Sequence, residues 1–177
     1  MASVLSHPAV ALGLGPLLEP LGVPPRVWAV GAACTVLPDV DILGFSVGIR
    51  YGDVLGHRGL THSLAFAALL AAGLAAIFFR SPGAGIAPAA VFVYLFLCTA
   101  SHGLFDAMTD GGLGVGFFLP FRDERTFLPF RPIHVSPIGV DGFFGRRGLQ
   151  ILASELKWIW TPSLLAGGAG LLLRRVS

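Results

Sequence analysis

The sequence has 177 residues, of which 54% are hydrophobic and 12% are charged, and its mean hydropathy is +0.78. Soluble domains carry about 25% charged residues. This composition therefore excludes an ordinary soluble protein and indicates a small integral membrane protein of one domain, residues 1–177, with the lipid bilayer as a partner. The net charge of +2 arises from 12 basic and 10 acidic residues. No basic stripe is present, so no nucleic-acid partner is expected.

Apolar segments and their breaks predict an all-α fold of about five helices. Ser6 and Pro8 indicate the start of the first helix, with Ser6 as its N-cap, and Thr61 marks the start of the third, where it would be the N-cap if His57 and His62 are merely interfacial. The helices are predicted over residues 7–18, 27–37, 61–79, 86–108 and 149–173. The third and fourth reach the ~20 residues that a bilayer requires, whereas the first two are short for a span.

A long polar insert, residues 110–148, separates the fourth helix from the fifth and is rich in Gly, Pro, Phe and Arg. A connection of this length is usually functional or disordered, and its aromatic content argues for order. We expect it to cover a site at one membrane face, with its arginines mostly in contact with lipid headgroups.

Most of the histidines and several carboxylates fall at helix ends that meet on one side of the membrane. Successive helices alternate in direction, so the start of one lies beside the end of the next. The residues that this alternation brings to one face are His7, Asp39, Asp41, His57, His62, His102, Asp106 and Glu155. The sequence thus predicts an integral membrane bundle with its metal-ligand residues clustered at one membrane face.

Imidazole and carboxylate groups are the usual ligands of zinc and related divalent ions. His102 and Asp106 are four residues apart and share one helix face. His57 and His62 can share an ion only if His57 lies in a loop, as the flanking glycines allow. Taken alone, each pair also fits a structural role, such as a hydrogen bond between helices, and Glu155 also fits a charge that complements a helix dipole. Together the eight residues predict two or three divalent ions, zinc being the expected metal.

Three motifs carry a resemblance to a known family. They are LPDVD at residues 37–41, GHRGLTHS at 56–63 and SHGLFDAMT at 101–109, in this order after an N-terminal histidine. The sequence resembles, from His7 to about Pro132, the inner-membrane metal-dependent hydrolase family typified by YdjM and YbcI. The resemblance implies a multi-pass protein of the cell inner membrane with metal-dependent hydrolase activity.

A more distant likeness is to the zinc-dependent phospholipase C and P1-type nuclease group. Those helical enzymes use an N-terminal ligand, then Asp, then His, then an HxxxD helix, and here His7, Asp39 or Asp41, His62, His102 and Asp106 follow in that order. The late HxxxE or HxxxD pair of that group is missing from this sequence. The departure puts a third ion and the transfer of substrate class in question.

The expected function is hydrolysis of a phosphoester or ester bond in a lipid-like or phosphorylated small substrate. Asp39 or Asp41 would bridge ions or act as general base, and Arg58 would bind a phosphate through two nitrogens. The alternative is a non-enzymatic metal-binding membrane protein, a transporter or a scaffold. A transporter would place its ligands near mid-span on broken helices, whereas these residues cluster at helix ends.

Overall fold

The computed structural model describes residues 1–79, 87–138 and 143–175. These residues form the helices α1 Pro8–Leu18, α2 Pro25–Val36, α3 Leu64–Phe78, α4 Pro88–Ala107, α5 Arg146–Glu155 and α6 Thr161–Leu173. A π-helical turn, Leu156–Trp160, joins α5 directly to α6, so the predicted fifth helix is one continuous helix with a widened turn. The described residues contain isolated β-bridges but no strand, which confirms the all-helical prediction.

Several helix boundaries differ from the prediction because polar side chains have other partners. Ser6 does not cap α1; its hydroxyl is 2.7 Å from a Glu155 carboxylate oxygen. Thr61 lies in a 3-10 turn, Leu60–His62, and Ser63 caps α3 by accepting a hydrogen bond from the Phe66 N–H. The predicted first residue of the fourth helix, Ile86, lies outside the described residues.

The chain after α2 does not become an open loop. It continues as a 3-10 helix, Leu37–Val47, that carries Asp39 and Asp41. Pro38 at the start of this segment lacks a backbone N–H, which disfavours the α-helical ladder there. Asp39 and Asp41 are therefore held in regular structure beside the end of α2.

Within the described residues, two helical segments are long and apolar enough to cross a membrane, Pro25–Val47 and Pro88–Ala107. Two further apolar segments, Pro8–Leu21 and Leu64–Phe78, are shorter. The predicted span at 61–79 is thus corrected to a helix of 15 residues, because its first turn is taken up by the polar 3-10 segment. A complete five-helix membrane bundle remains a prediction.

The apolar core lies where α2 and α4 cross beside α1. Tyr94 of α4 is fully buried there, and its hydroxyl donates to the Ala11 carbonyl at 3.1 Å. Gly31 of α2 packs against the Tyr94 ring, where a Cβ would collide with it. At the α1–α6 contact, Gly13 faces the Ser163 backbone in the same way. These close approaches pack α2 against α4 and α1 against α6.

The insert is attached to the loop that precedes α3. The Gly116 N–H donates to the Arg58 carbonyl at 2.9 Å. The Arg125 guanidinium donates to the His57 carbonyl at 2.8 Å and to the Asp53 carbonyl at 2.9 Å. Residues 110–138 of the insert are therefore fastened to the His57 loop.

Candidate metal centre

Three different segments supply these side chains of the centre. Asp39 and Asp41 come from the 3-10 helix after α2, His62 from the turn before α3, and His102 and Asp106 from the last two turns of α4. Each of these residues is at most 7% exposed. The structure therefore brings together the ends of the elements that the alternation of helix direction placed on one side.

His57 reaches the same centre from the preceding loop. A Cβ at Gly56 would collide with the Arg50 carbonyl, and one at Gly59 with the Val54 carbonyl, so both positions require glycine for this turn. Arg58, between them, has a positive φ of 62°. Non-glycine residues rarely adopt this conformation, and such strain concentrates at functional sites.

One potential ligand atom from each of four residues surrounds a common point. They are Nε2 of His62, Nε2 of His102, Oδ1 of Asp39 and Oδ2 of Asp106. Asp39 Oδ1 is 3.2 Å from His102 Nε2 and 3.6 Å from His62 Nε2. Asp106 Oδ2 is 3.7 Å from His62 Nε2 and 3.9 Å from His102 Nε2.

These distances suit an ion better than hydrogen bonds. Four ligands at ~2.0–2.1 Å from a tetrahedral zinc ion lie roughly 3.3 Å from one another. All four atoms lie within 4.8 Å of one another, and the four residues are buried. The residues present therefore fit a divalent cation.

The atoms that lack protein hydrogen bonds give independent support for this site. Buried polar atoms are normally paired, so each exception requires an explanation. The unpaired side-chain atoms at the centre are both Asp39 oxygens, both His7 nitrogens, Asp106 Oδ2, Arg58 Nε and the Nε2 atoms of His57, His62 and His102. Apart from Arg58 Nε, which lies beside Asp106 Oδ2, these are atoms of the types that coordinate metals.

The opposite nitrogen of each central imidazole is held by the protein. His102 Nδ1 lies 2.7 Å from the Thr35 carbonyl oxygen. A carbonyl can only accept, so Nδ1 carries the proton and Nε2 presents its lone pair to the centre. Metal-binding histidines are usually oriented through such a bond on the second nitrogen.

Asp41 orients two further imidazoles in the same way. Its Oδ1 is 2.8 Å from His57 Nδ1, and its Oδ2 is 3.1 Å from His62 Nδ1. The same carboxylate accepts hydrogen bonds from the Thr61 hydroxyl at 2.8 Å and the Arg58 N–H at 3.2 Å. Both oxygens of Asp41 thus take part in hydrogen bonds, whereas neither oxygen of Asp39 does.

Asp41, His57 and His62 form a second group of potential ligands that shares His62 with the first. Its contacts at 2.8 and 3.1 Å are hydrogen-bond lengths, which fit an orienting carboxylate. Among the described residues no third group occurs, so the expectation of two or three ions is supported only in its coarser form, a divalent metal.

The charge of the centre favours a cation. Burial opposes protonation of His62, but the nearby carboxylates of Asp39, Asp41 and Asp106 outweigh burial and raise the pKa of His62 to about 9. The three carboxylates thus stabilise a positive charge at this imidazole. A divalent ion would supply that positive charge in place of the proton on the second imidazole nitrogen, since a histidine binds metal in its neutral form.

His7 lies beside the centre without belonging to either group. Its ring stacks on that of His102, with the centroids 3.8 Å apart. Burial, reinforced by the neighbouring His102, lowers the pKa of His7 to about 3, so this imidazole is neutral. Its predicted role as a ligand stays a prediction.

Arg58 has protein partners on all three of its guanidinium nitrogens. Nε is 3.1 Å from Asp106 Oδ2, one terminal nitrogen donates to the Gly111 carbonyl at 2.9 Å, and the other donates to the Thr109 hydroxyl at 3.0 Å. The side chain is fully buried. The structure therefore places Arg58 as a link between Asp106 and the insert, and its predicted contact with a phosphate stays a prediction.

Glu155 lies outside both ligand groups, which differs from the prediction. Its carboxylate accepts hydrogen bonds from the Ser3 N–H, from the Ser3 hydroxyl at 2.5 Å and from the Ser6 hydroxyl at 2.7 Å. The Ser6 hydroxyl in turn accepts from the Trp160 indole N–H at 2.9 Å. Glu155 thus fastens the N-terminal residues to the π-helical turn.

The fifth histidine, His134, lies at the surface of the insert. Its Nδ1 is 2.9 Å from an Asp110 carboxylate oxygen, and the two side chains are 56% and 45% exposed. Burial by itself raises the pKa of Asp110. The hydrogen bonds from His134 and the Val135 N–H outweigh burial and hold that pKa below its usual value. This pair is separate from the buried centre.

Sequence reasoning missed the partners that orient the ligands. The Thr35 carbonyl is a backbone group and leaves no mark in the sequence. Ser3 and Ser6, by contrast, were visible as polar residues before an apolar helix. The spacing between them and Glu155, 152 and 149 residues, gave no signal that they meet.

Fold and site together define a helical protein with two candidate membrane spans in the described part of the chain and a buried His/Asp centre suited to a divalent cation. The chain belongs to the YdjM inner membrane protein family, whose model matches residues 1–175. One similar protein is the inner membrane protein YbcI of Escherichia coli (strain K12), which is 40% identical over 173 residues, or 95% of this chain and 96% of the relative. No solved structure matches the chain.

The family membership confirms the resemblance carried by the three motifs and the predicted location in the inner membrane. Neither the family description nor the name of the relative states a catalytic activity. The likeness to the phospholipase C and P1-type nuclease group has no support from these comparisons.

Proposed function

We propose that this protein is a metal-dependent hydrolase of the inner membrane that acts on a phosphoester or ester bond of a lipid or amphiphilic substrate. The observation that carries the proposal is the set of buried, unpaired ligand atoms around one point, from Asp39, His62, His102 and Asp106. Leaving such atoms unpaired costs ~1–3 kcal/mol each, and more for charged groups. A bound cation would offset that cost.

The residues divide into ligands and orienting groups. His62 and His102 would ligate through Nε2, Asp39 through Oδ1 and Asp106 through Oδ2, with zinc as the proposed ion. Asp41 would hold His57 and His62 in position, and Arg58 would hold Asp106. Outer partners of this kind typically contribute ~10–100-fold to metal affinity or activity.

A divalent ion bound there would lower the pKa of a bound water, and its positive charge would stabilise a developing oxyanion. The chain would contribute a closed environment, because the four proposed ligands are buried. His57 keeps an unpaired Nε2 beside the centre while Asp41 accepts the hydrogen bond of its Nδ1. This arrangement suits His57 to accept a proton from the attacking water, since its tautomer is fixed by Asp41.

One observation favours a second candidate, metal transport. The candidate span Pro25–Val47 changes from α-helix to 3-10 helix at Leu37, and Asp39 and Asp41 lie just after the change. Transporters use such discontinuous helices to hold ions near the bilayer midplane. The centre also draws on a loop and on the end of α4, however, which favours a site at one face.

The test combines metal analysis with hydrolysis. The purified full-length protein should contain a stoichiometric divalent ion by elemental mass spectrometry and should hydrolyse bis(p-nitrophenyl) phosphate or a p-nitrophenyl ester. Chelation should abolish the activity, and zinc should restore it. Reconstituted vesicles should show no zinc uptake above empty vesicles. Zinc uptake without hydrolysis would favour the transporter. A purified protein that binds no metal would contradict both the hydrolase and the transporter.

A further inference from the structure

The two oxygens of the Asp106 carboxylate have different surroundings. Oδ1 accepts a hydrogen bond from the Ala2 N–H at 2.7 Å. Oδ2 has no hydrogen-bond partner among the described residues and lies 3.7 Å from His62 Nε2 and 3.9 Å from His102 Nε2. Ala2 and Asp106 are both fully buried. The backbone thus holds one oxygen of this carboxylate, while the other faces the point that the proposed ion would occupy.

An aspartate does not fix the orientation of its own carboxylate. The last torsion of the side chain, χ2, is broad and roughly two-fold. A neighbouring group must therefore select which oxygen of Asp106 turns towards the centre. Arg58 Nε lies 3.1 Å from Oδ2 but forms no hydrogen bond with it. The hydrogen bond that the described residues do supply comes from the Ala2 N–H, and it engages the oxygen that faces away from the ion.

From this division we infer that the Ala2 N–H is a positioning group of the metal centre, which holds the Asp106 carboxylate with Oδ2 directed at a divalent cation. Outer hydrogen bonds of this kind orient ligating carboxylates and typically contribute ~10–100-fold to metal affinity. Hydrogen bonds to ionised acceptors are shorter and stronger than those between neutral groups, in keeping with the 2.7 Å distance. The inference rests on the metal centre of the proposed function and does not depend on hydrolysis.

The peptide group between Met1 and Ala2 is fixed at both of its polar ends. Its N–H donates to Asp106, and its carbonyl, that of Met1, accepts a hydrogen bond from the Ser136 N–H of the insert at 2.9 Å. The Ala2 side chain lies in a buried apolar cluster that includes Ile133 of the insert. These partners are far from residue 2 in the sequence, so tertiary packing determines where the donor points.

A hydrogen bond that only satisfied a buried carboxylate would not leave half of it unpaired. Asp41 and Glu155 are buried carboxylates, and each has hydrogen-bond partners on both oxygens. Asp106 has a hydrogen-bond partner on one oxygen alone within the described residues. The bond from Ala2 therefore does not complete the surroundings of Asp106, and a cation at Oδ2 would do so.

Removing the N–H while keeping the rest of the chain tests the inference. Ala2→Pro deletes the donor, because proline has no backbone N–H. Ala2→Gly keeps the N–H and removes only the methyl group, so it is the matched control. A backbone ester, made by incorporating lactic acid at position 2, replaces the N–H by oxygen without the proline ring. All proteins are full length and are produced with methionine aminopeptidase inhibited, and intact mass confirms that Met1 is present.

Zinc affinity is measured by titration against a competing chelator, and ligand geometry by the visible absorption of the cobalt(II) form. Ala2→Pro and the ester should each bind zinc ~10–100-fold more weakly than the wild type, with unchanged stoichiometry at saturation. Their cobalt absorption bands should shift, because the ligand field changes when Oδ2 is no longer held. Ala2→Gly should match the wild type in both measurements. A contact that only stabilised the fold would lower the unfolding temperature and change neither.

Two results would overturn the inference. One is a zinc affinity and cobalt spectrum of the ester that equal those of the wild type. The other is a loss of affinity in Ala2→Gly as large as that in the ester. The ester decides the result if Ala2→Pro does not fold.

The same measurements separate this inference from the proposed function. A metal-loaded wild type that shows the expected effect of the ester but hydrolyses no substrate would reject only the hydrolase. A metal-loaded wild type whose zinc affinity is unaffected by the ester would reject only the role of Ala2. A wild type that binds neither zinc nor cobalt would reject both.

Discussion

Two buried carboxylate sites lie at the same end of the helices and differ in one respect. Around Glu155, the carboxylate oxygens accept hydrogen bonds from Ser3 and Ser6. Around Asp39, neither oxygen has a protein hydrogen bond, and the nearest nitrogens lie at 3.2 Å or more. Glu155 and Asp39 are 0% and 6% exposed, so burial does not distinguish them.

The difference shows how to separate a structural carboxylate from a ligand. A buried carboxylate must find donors or a cation, because its unpaired charge is otherwise costly. Glu155 has found donors within the chain, whereas Asp39 faces imidazole nitrogens and the Asp106 carboxylate. The first site should therefore contribute to stability and the second to metal binding, and variants at each should affect one property without the other.

The largest effect is expected at the centre itself. His102→Ala removes a ligand, so metal affinity should fall by more than the roughly 10–100-fold seen for outer partners. Elemental analysis after dialysis measures the occupancy. His134→Ala, a change at an exposed histidine, is the matched control and should retain the ion.

The double variant His62→Ala with His102→Ala sharpens this result. Residues that act as one unit are strongly non-additive. Hydrolysis in the double variant should therefore be little lower than in either single variant. Two independent, multiplying losses would argue that the two histidines do not serve one ion.

A smaller effect is expected for Asp41, which orients ligands without its own unpaired oxygen. Asp41→Asn should weaken zinc affinity by about 10–100-fold and leave the stoichiometry at saturating zinc unchanged. A zinc titration with a competing chelator measures both. A loss of stoichiometry would instead make Asp41 a ligand, as the second group of residues allows.

At Glu155, the structural carboxylate, the effect should appear in the free energy of unfolding. Glu155→Gln removes the charge that accepts bonds from Ser3 and Ser6, and hydrogen bonds to charged groups contribute ~1.5–3 kcal/mol. The free energy of unfolding should fall by about 2 kcal/mol, measured by thermal denaturation in detergent. Metal content should equal that of the wild type, and a loss of metal would return Glu155 to the ligand set.

The smallest effect belongs to the exposed pair of Asp110 and His134. Exposed ion pairs contribute ~0–1 kcal/mol. Because the folded state lowers the pKa of Asp110, its contribution is present above the unfolded pKa of ~3.9 and is lost as pH falls through the folded value. Asp110→Asn should therefore lower stability by less than ~1 kcal/mol near neutral pH, with the difference from wild type disappearing at acid pH.

The sequence predicted that His62, His102, Asp39 and Asp106 lie on one side, from the alternation of helix direction, and the structure brings these four together. The same reasoning also placed Glu155 there, which lies outside both ligand groups. It could not distinguish Asp39 from Asp41, because the two differ only in which oxygens are paired in the folded chain. That pairing depends on the turn at Gly56 and Gly59, which orients His57 towards Asp41.

The other differences have a similar origin in long-range contacts. Glu155 meets Ser3 across 152 residues, so its partner is set by the packing of α1 against α6. The third helix is shorter than predicted because the Ser63 hydroxyl caps it, although Thr61 was an equally good N-cap by residue type. Local sequence preference permits both choices, and tertiary contacts of Thr61 with Asp41 select one.

The most direct test of the metal centre is zinc K-edge X-ray absorption on the purified full-length protein, with His102→Ala and Glu155→Gln measured beside it. We expect one tightly bound zinc per chain with nitrogen and oxygen ligands at ~2.0–2.1 Å. That signal should be lost in His102→Ala and retained in Glu155→Gln. A wild-type protein that binds no zinc, or equal signals in all three proteins, would contradict it.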